Sequence, residues 1–370
     1  MKRIALVLWS VAVIALAGDP AGNHGPNDNS MEPRSVVIAT KFDSLFRSIS
    51  QKKGFNGNVL VGLSGNVIYK NAFGYSDLRT KEKLNVKSVF QIASVSKQFT
   101  AIAIMILHER GLLEYSDTVQ RFIPEFPYKN ITIKELLAHR SGLPNYMNFS
   151  TKYWKKKKEY MSNEDVLTQM IQYQPRPEFT PDRRYKYSNT GYAMLALLVE
   201  RISGLPFHEF MERNVFQPIG MNSTFVYNPN NSKTIEYETK GYNKNRRKSY
   251  VDFLDGVVGD KGIFSTVEDM FAWDQALYTE KIVKQSTLDE AFTPISYDYK
   301  RDNNYGFGFR LDTLADGSRI VYHGGWWRGY NSLFVRRLND HATIIILCNK
   351  VNWSFGDIQD LMSIVDNTGM

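Results

Sequence analysis

The chain has a single cysteine, Cys348, among 370 residues. No intrachain disulfide can form, so packing, hydrogen bonds and ion pairs hold the fold. Cys348 closes the apolar stretch Ile344-Ile345-Ile346-Leu347, where a thiol serves as a small core residue rather than a nucleophile. No run reaches the ~18 consecutive apolar residues of a membrane-spanning helix. The histidines, His24, His108, His139, His208, His323 and His341, are scattered without ligand spacing. That speaks against a metalloenzyme and for a chain that works without metal or cofactor. Gly-x-Ser-x-Gly is absent, which argues against the nucleophile elbow of the α/β-hydrolases. There is no internal repeat and no low-complexity tract.

What is present describes a globular chain. Hydrophobic residues make up 43% and aromatics 13%, enough to bury a core. The formal net charge is +8, with basic runs at 155–158 and 244–248. Such runs are ordinarily solvated faces; the functional alternative is weak attraction to anionic envelope polymers or lipid head groups. No nucleic-acid-binding motif accompanies the charge. At the N-terminus, Lys2 and Arg3 precede an apolar run from Ile4 to Ala17 that ends in Ala15-Leu16-Ala17. This pattern predicts a bacterial-type signal peptide over 1–17, hence export to the periplasm or beyond. Asp19 stands near where a lipid anchor would need cysteine. A linker over 18–33 follows.

The apolar pattern predicts a helix over 34–53 ending at Gly54, then strands over 58–63 and 66–73 joined by Ser64-Gly65. Residues 94–110 read as a helix apolar almost all round, and such helices are buried. Thr132-x-x-Glu135, Ser162-x-x-Asp165 and Ser265-x-x-Glu268 are helix-opening patterns. A helix over 189–202 closes on Gly204. Strands over 319–323, 333–337 and 341–349 form an antiparallel meander, and a helix over 355–365 ends the pattern. Strands early and late with helices between them imply an α/β fold of the α+β type. Its antiparallel sheet domain would take residues 34–115 and 255–370, around an inserted helical domain over 116–254.

Three constellations can carry chemistry. In Ser94-Val95-Ser96-Lys97 the serine and lysine share a helical face. Ser94 sits at the helix N-terminus, where free N–H groups favour developing negative charge. A buried helix disfavours the lysine ammonium, making a neutral amine available as a base. The same spacing in Ser50-Gln51-Lys52-Lys53 falls on a polar helix end, where the lysines stay solvated and charged. Tyr187-Ser188-Asn189 ends a polar loop just before a helix, placing a phenol and an amide to face a cleft. Tyr-x-Asn recurs at Tyr69, Tyr128 and Tyr146, so the loop context distinguishes Tyr187, whose alternative role is a packed aromatic. His323-Gly324-Gly325 ends a predicted strand before Trp326-Trp327, and the glycines would let substrate backbone approach. The structural alternative is a tight hairpin with a buried histidine.

Taken in order, these elements resemble the penicillin-recognising serine hydrolases. The match is to the class C β-lactamase-like branch, with its D-Ala-D-Ala carboxypeptidases, D-aminopeptidases and esterases. Phe90–Thr100, Leu136–Pro144, Tyr187–Tyr192, Pro218-Ile219-Gly220-Met221, Phe264-Ser265-Thr266 and His323-Gly324-Gly325 are similar to family landmarks in the family's order. The resemblance implies Ser94 as nucleophile, Lys97 and Tyr187 as the proton-handling pair, and Asn189 as a substrate-orienting amide. It also implies that His323 and Gly325 belong to the substrate side, with the amides of Ser94 and Trp326 as oxyanion donors. Which of Lys97 and Tyr187 takes the first proton stays open. His323 replaces the lysine of β-lactamases proper, which favours peptidase or esterase chemistry. Asp182 stands where many relatives have glycine, and Asp260-Lys261 interrupts a usually Gly-rich stretch, both expected to lie away from the chemistry. The implied activity is covalent acyl-enzyme hydrolysis of an amide or ester, with small-molecule or peptide substrates, peptidoglycan-derived ones among them. The alternative is a catalytically weak penicillin-recognising sensor of the envelope.

Overall fold

The computed structural model describes residues 31–227, 237–298, 303–351 and 355–366. The predicted signal peptide and most of the linker lie outside them. In chain order, helix α1 (Met31–Lys53) precedes strands β1 (Gly57–Leu63), β2 (Asn66–Phe73), β3 (Tyr75–Asp77), β4 (Glu82–Lys83) and β5 (Phe90–Gln91). Helices α2 (Ser96–Glu109), α3 (Ile133–Leu137), α4 (Tyr146–Tyr153), α5 (Asn163–Tyr173), α6 (Asn189–Ser203) and α7 (Phe207–Met211) follow. Then come β6 (Phe225–Val226), β7 (Ile263–Ser265), α8 (Val267–Ala276) and α9 (Gln285–Ala291). The rest is β8 (Ser296–Asp298), β9 (Asn303–Tyr305), β10 (Arg310–Thr313), β11 (Arg319–Trp327), β12 (Tyr330–Arg337), β13 (Ala342–Cys348) and α10 (Ile358–Asp366).

Eight strands form one antiparallel sheet in the order β2-β1-β13-β12-β11-β10-β9-β8, so the early hairpin pairs with the last strand. Both faces are covered. Along β13, Ile344, Ile346 and Cys348 join Phe42 and Phe46 of α1 in one cluster, while Ile345 and Leu347 join Phe99 and Ile102 of α2 in the other. The period-2 alternation therefore feeds two cores, and a strand buried on both sides reads as an uninterrupted apolar run. Cys348 is buried in the first cluster, where desolvation pushes its thiol pKa up.

Local chemistry sets most boundaries. Thr132 with Glu135 and Ser162 with Asp165 close full capping boxes, and Gly204 ends α6 in the left-handed conformation. Two expectations shift. The helix predicted from Ser265 is capped by Thr266, whose hydroxyl accepts from the Asp269 N–H, because Ser265 is still paired in β7. The strand predicted to stop at His323 runs on to Trp327, with Gly324 opposite Leu333 and Gly325 opposite Ser332. The chain reverses at 328–329, where Arg328 and Gly329 take positive φ.

Behind the sheet, Arg336 and Asp274 form an ion pair at 2.6 Å with both side chains fully buried. Asp274→Ala leaves the guanidinium without its counter-ion, and a loss of about 3–5 kcal/mol is expected. The midpoint of urea unfolding, read at constant slope, measures it.

Candidate active site

Ser94 lies in a single 3-10 turn, Ala93–Val95, that leads into α2. The preceding Ala93 has φ +50°, a left-handed conformation that an L residue keeps only where its surroundings hold it. Three long-range bonds do so. The Ile92 N–H donates to Ile263 O at 2.9 Å, the Ser332 hydroxyl donates to Ile92 O at 2.6 Å, and the Ile263 N–H donates to Ser96 Oγ at 3.2 Å. The turn is thus fixed between β7 and β12, and Ser94 opens onto a cleft of ≈ 1040 Å³.

Lys97, one turn on, is fully buried. Its Nζ stands 3.3 Å from Ser94 Oγ, 2.9 Å from Asn189 Oδ1 and 2.7 Å from the Asp260 carbonyl. Desolvation lowers its pKa to about 7, against the opposing pull of the Asp260 carboxylate and with further lowering from Arg310. Near neutral pH a large share of the amine is uncharged. A neutral amine has two N–H bonds and one lone pair. If the nearer carbonyl oxygens of Asp260 and Asn189 take the two N–H bonds, the lone pair is left for the serine hydroxyl.

Tyr187 and Asn189 approach from the other side of the cleft. Ser188 caps α6 through the Gly191 N–H, and its own N–H donates to His139 Nδ1 at 3.1 Å. His139, itself at φ +58°, takes the Lys186 N–H on its carbonyl at 2.9 Å. Its ring packs 4.3 Å from the Tyr187 ring. Burial lowers the His139 pKa well below the imidazole range, so the ring braces the phenol as a neutral group. The Tyr187 ring centroid lies 4.9 Å from Lys97 Nζ. Asp182, at φ +61° and ion-paired with Arg140, occupies a left-handed turn in the same loop, a conformation that glycine adopts without strain.

Strand β11 forms the third wall. A side chain at Gly325 would come within 2.4 Å of Ile92 O and 3.0 Å of Ser94 N, so only glycine lets the strand lie against the serine turn. His323 is buried; its Nδ1–H donates to the Gly324 carbonyl at 2.7 Å and its Nε2 lies within hydrogen-bond distance of the Tyr305 hydroxyl at 3.1 Å. Trp326 is 57% exposed on the rim. Arg310, unforeseen in the sequence, adds a buried cation to the cleft wall, and its guanidinium carbon lies 5.5 Å from the Tyr187 centroid.

A β-lactamase family model matches residues 42–367. The chain belongs to the β-lactamase family. It is 36% identical to penicillin-binding protein 4* of Bacillus subtilis over 83% of this chain and 71% of that one. A D-aminopeptidase of Cereibacter sphaeroides is 24% identical over 80% of this chain, which spans only 57% of that relative's length. The crystal structure of a penicillin-binding protein from Bacillus halodurans superposes with a TM-score of 0.74 at 25% identity, over 86% of this chain and 98% of that one. The chain is therefore a serine hydrolase of the β-lactamase and penicillin-binding-protein family, with the large antiparallel sheet of that fold.

Ser94, Tyr187, Asn189, His323, Gly325 and Trp326 all line one cleft, and Lys97 lies beneath its floor. One sequence expectation is corrected. Asp260, expected to lie away from the chemistry, presents its carbonyl as the nearest acceptor of the Lys97 amine. Beyond it, Lys261 Nζ donates to the Tyr146 hydroxyl, which donates to Asp260 Oδ2, both at 3.0 Å. Gly325→Ala tests the strand contact. Its methyl group must displace the Ser94 turn or the strand, so kcat/KM on an activated ester should fall by about 10²-fold while the protein stays folded by circular dichroism.

Proposed function

We propose that this chain hydrolyses amide or ester bonds of small D-amino-acid peptides through a covalent acyl-enzyme on Ser94. The observation that carries the reading is the buried Lys97 amine, 3.3 Å from Ser94 Oγ with its pKa near 7. Ser94 Oγ attacks the substrate carbonyl carbon while its proton passes to Lys97 Nζ. The carbonyl π electrons move onto oxygen, which the amides of Ser94 and Trp326 receive; each such donor contributes about 3 kcal/mol in the transition state. Collapse breaks the bond to the amine or alcohol, and Tyr187 relays a proton to that leaving group. Water then adds to the ester, and Ser94 leaves with its proton restored.

Arg310 supports a substrate carrying a carboxylate near the scissile bond, because a guanidinium pairs with that group through two parallel bonds. It stands in the cleft beside His323, whose ring is engaged by Tyr305 and the Gly324 carbonyl. The relatives named penicillin-binding protein and D-aminopeptidase support D-amino-acid substrates. Export belongs to the same proposal and rests on the 1–17 pattern; N-terminal sequencing of secreted protein should begin just after Ala17.

A fluorophosphonate or penicillin probe followed by peptide mapping tests the assignment. One adduct is expected, on Ser94, absent from Ser94→Ala, and a stable adduct on another residue would refute it. Sustained nitrophenol release from a nitrophenyl ester supports turnover, whereas a single burst would favour an envelope sensor. A panel of D-Ala-D-Ala peptides, short-chain esters and nitrocefin ranks the substrate classes.

A further inference from the structure

A second cavity, ≈ 800 Å³, shares no lining residue with the catalytic cleft. Five cations line it: Arg79, Lys81, Arg246, Lys248 and Lys350. Among the described residues none of the five has a carboxylate within ion-pair distance. The one acidic residue in the wall, Asp77, is already engaged. Its Oδ1 accepts from the Arg79 N–H at 2.7 Å, the Thr80 N–H at 3.2 Å and the Tyr242 hydroxyl at 3.0 Å.

Lys350 is the anchored cation of the wall, and the other four are exposed side chains. Lys350 is 9% exposed and donates to the Gly54 carbonyl at 3.1 Å. Its strand is clamped by Tyr242 N–H to Asn349 O at 2.8 Å and Val351 N–H to Tyr242 O at 2.9 Å. From there 243–247 form a tight turn in which Asn243 Oδ1 accepts from the Asn245 and Arg247 N–H groups and Arg246 takes φ +61°. The basic run at 244–248 is therefore partly the wall of a pocket rather than only a solvated face. Desolvation and the nearby Arg246 both lower the Lys350 pKa, so these two cations share one region of the wall, while the Asp77 carboxylate acts on Arg79. An anion in the cavity would meet Lys350 and four exposed cations with no ion-paired carboxylate among the described residues to displace.

We infer that this cavity binds a ligand carrying several phosphate groups. Its volume falls in the range of small-ligand sites, too large for one carboxylate, and guanidinium forks flanked by ammonium groups match phosphate oxygens. A compact phosphate ester and a phosphodiester-type chain share this chemistry.

Calorimetric titration of the purified chain with pyrophosphate, long-chain polyphosphate and citrate tests the inference. Pyrophosphate should bind, more weakly as salt rises, and equally well to Ser94→Ala. The double variant Arg246→Gln/Lys350→Met should lose at least about tenfold in affinity, with ester hydrolysis unchanged. Should that variant fail to fold, Arg79→Gln/Lys81→Gln, at exposed positions, should lose affinity in the same sense. Polyphosphate bound more than about tenfold tighter than pyrophosphate identifies a chain-like ligand; equal affinity identifies a compact one. Citrate binding as tightly as pyrophosphate, affinity retained in both double variants, or equal loss in a Lys156→Gln/Lys158→Gln control would overturn the inference.

Discussion

Lys97→Met should lower kcat/KM by about 10²–10⁴-fold and at the same time stabilise the folded protein at neutral pH. The two effects share one cause. Burial holds the Lys97 amine at a pKa of about 7, against an ordinary value of 10.5. Between these values the unfolded chain binds a proton that the folded chain gives up. Stability therefore rises with pH across that window by roughly 1.4 kcal/mol per unit from this group. The penalty is fully present below pH 7 and disappears above the unfolded value. Methionine fills similar space without a charge. Its gain is offset because Asn189 Oδ1 and the Asp260 carbonyl lose their donor, each such loss costing about 1–3 kcal/mol. A net gain of about 1 kcal/mol at pH 7 remains. Urea unfolding from pH 7 to 10 should show the wild-type slope flattening in Lys97→Met. In the wild type, kcat/KM should climb through about pH 7 and level off above it, since the free base does the work. Parallel pH–stability curves for the two proteins would remove the basis for a neutral amine.

Why Lys97 was legible in the sequence while its environment was not follows from distance along the chain. Ser94 and Lys97 sit one helical turn apart, and the apolar run Ala101–Leu107 announces burial. The caps at Thr132 and Ser162 are likewise local, as is the alternation that makes β1 and β13 strands. Asp260 reaches Lys97 across 163 residues, and nothing in its neighbours marks a carbonyl aimed at an amine. Arg310 begins a four-residue strand, and β8 and β9 have only three residues each, too short to show a period. The glycines of β11 mark close backbone approach, which the structure shows against the serine turn. They carry no sign that the ladder continues past them, which depends on pairing with Leu333 and Ser332. His323 follows the same logic. It lines the cleft, and Tyr305, from a strand that the pattern does not reveal, engages its ring.

The buried network behind Lys97 yields the second large effect. Asp260→Asn removes the one carboxylate that opposes desolvation at both Lys97 and Lys261. Lys261 is 97% buried and stands 3.6 Å from Asp260 Oδ1, so its ammonium loses its nearest counter-ion. Breaking a buried pair by removing one partner costs about 3–5 kcal/mol. Part of that is recovered where Lys261 sheds its proton, so the loss should be largest at acid pH and shrink as pH rises. At the active site the sign is set by the same charge. The carboxylate raises the Lys97 pKa, so its removal lets desolvation drive that value further below about 7. The acid limb of the kcat/KM profile should therefore move to lower pH. The plateau should fall, because a weaker base takes the Ser94 proton less readily. The Asp260 main-chain carbonyl still accepts from Lys97 in this variant, which separates the charge from the hydrogen bond. A pH–rate profile and urea unfolding on the same preparation read both effects. An acid limb that stays in place or moves upward would show that this carboxylate does not set the charge state of Lys97.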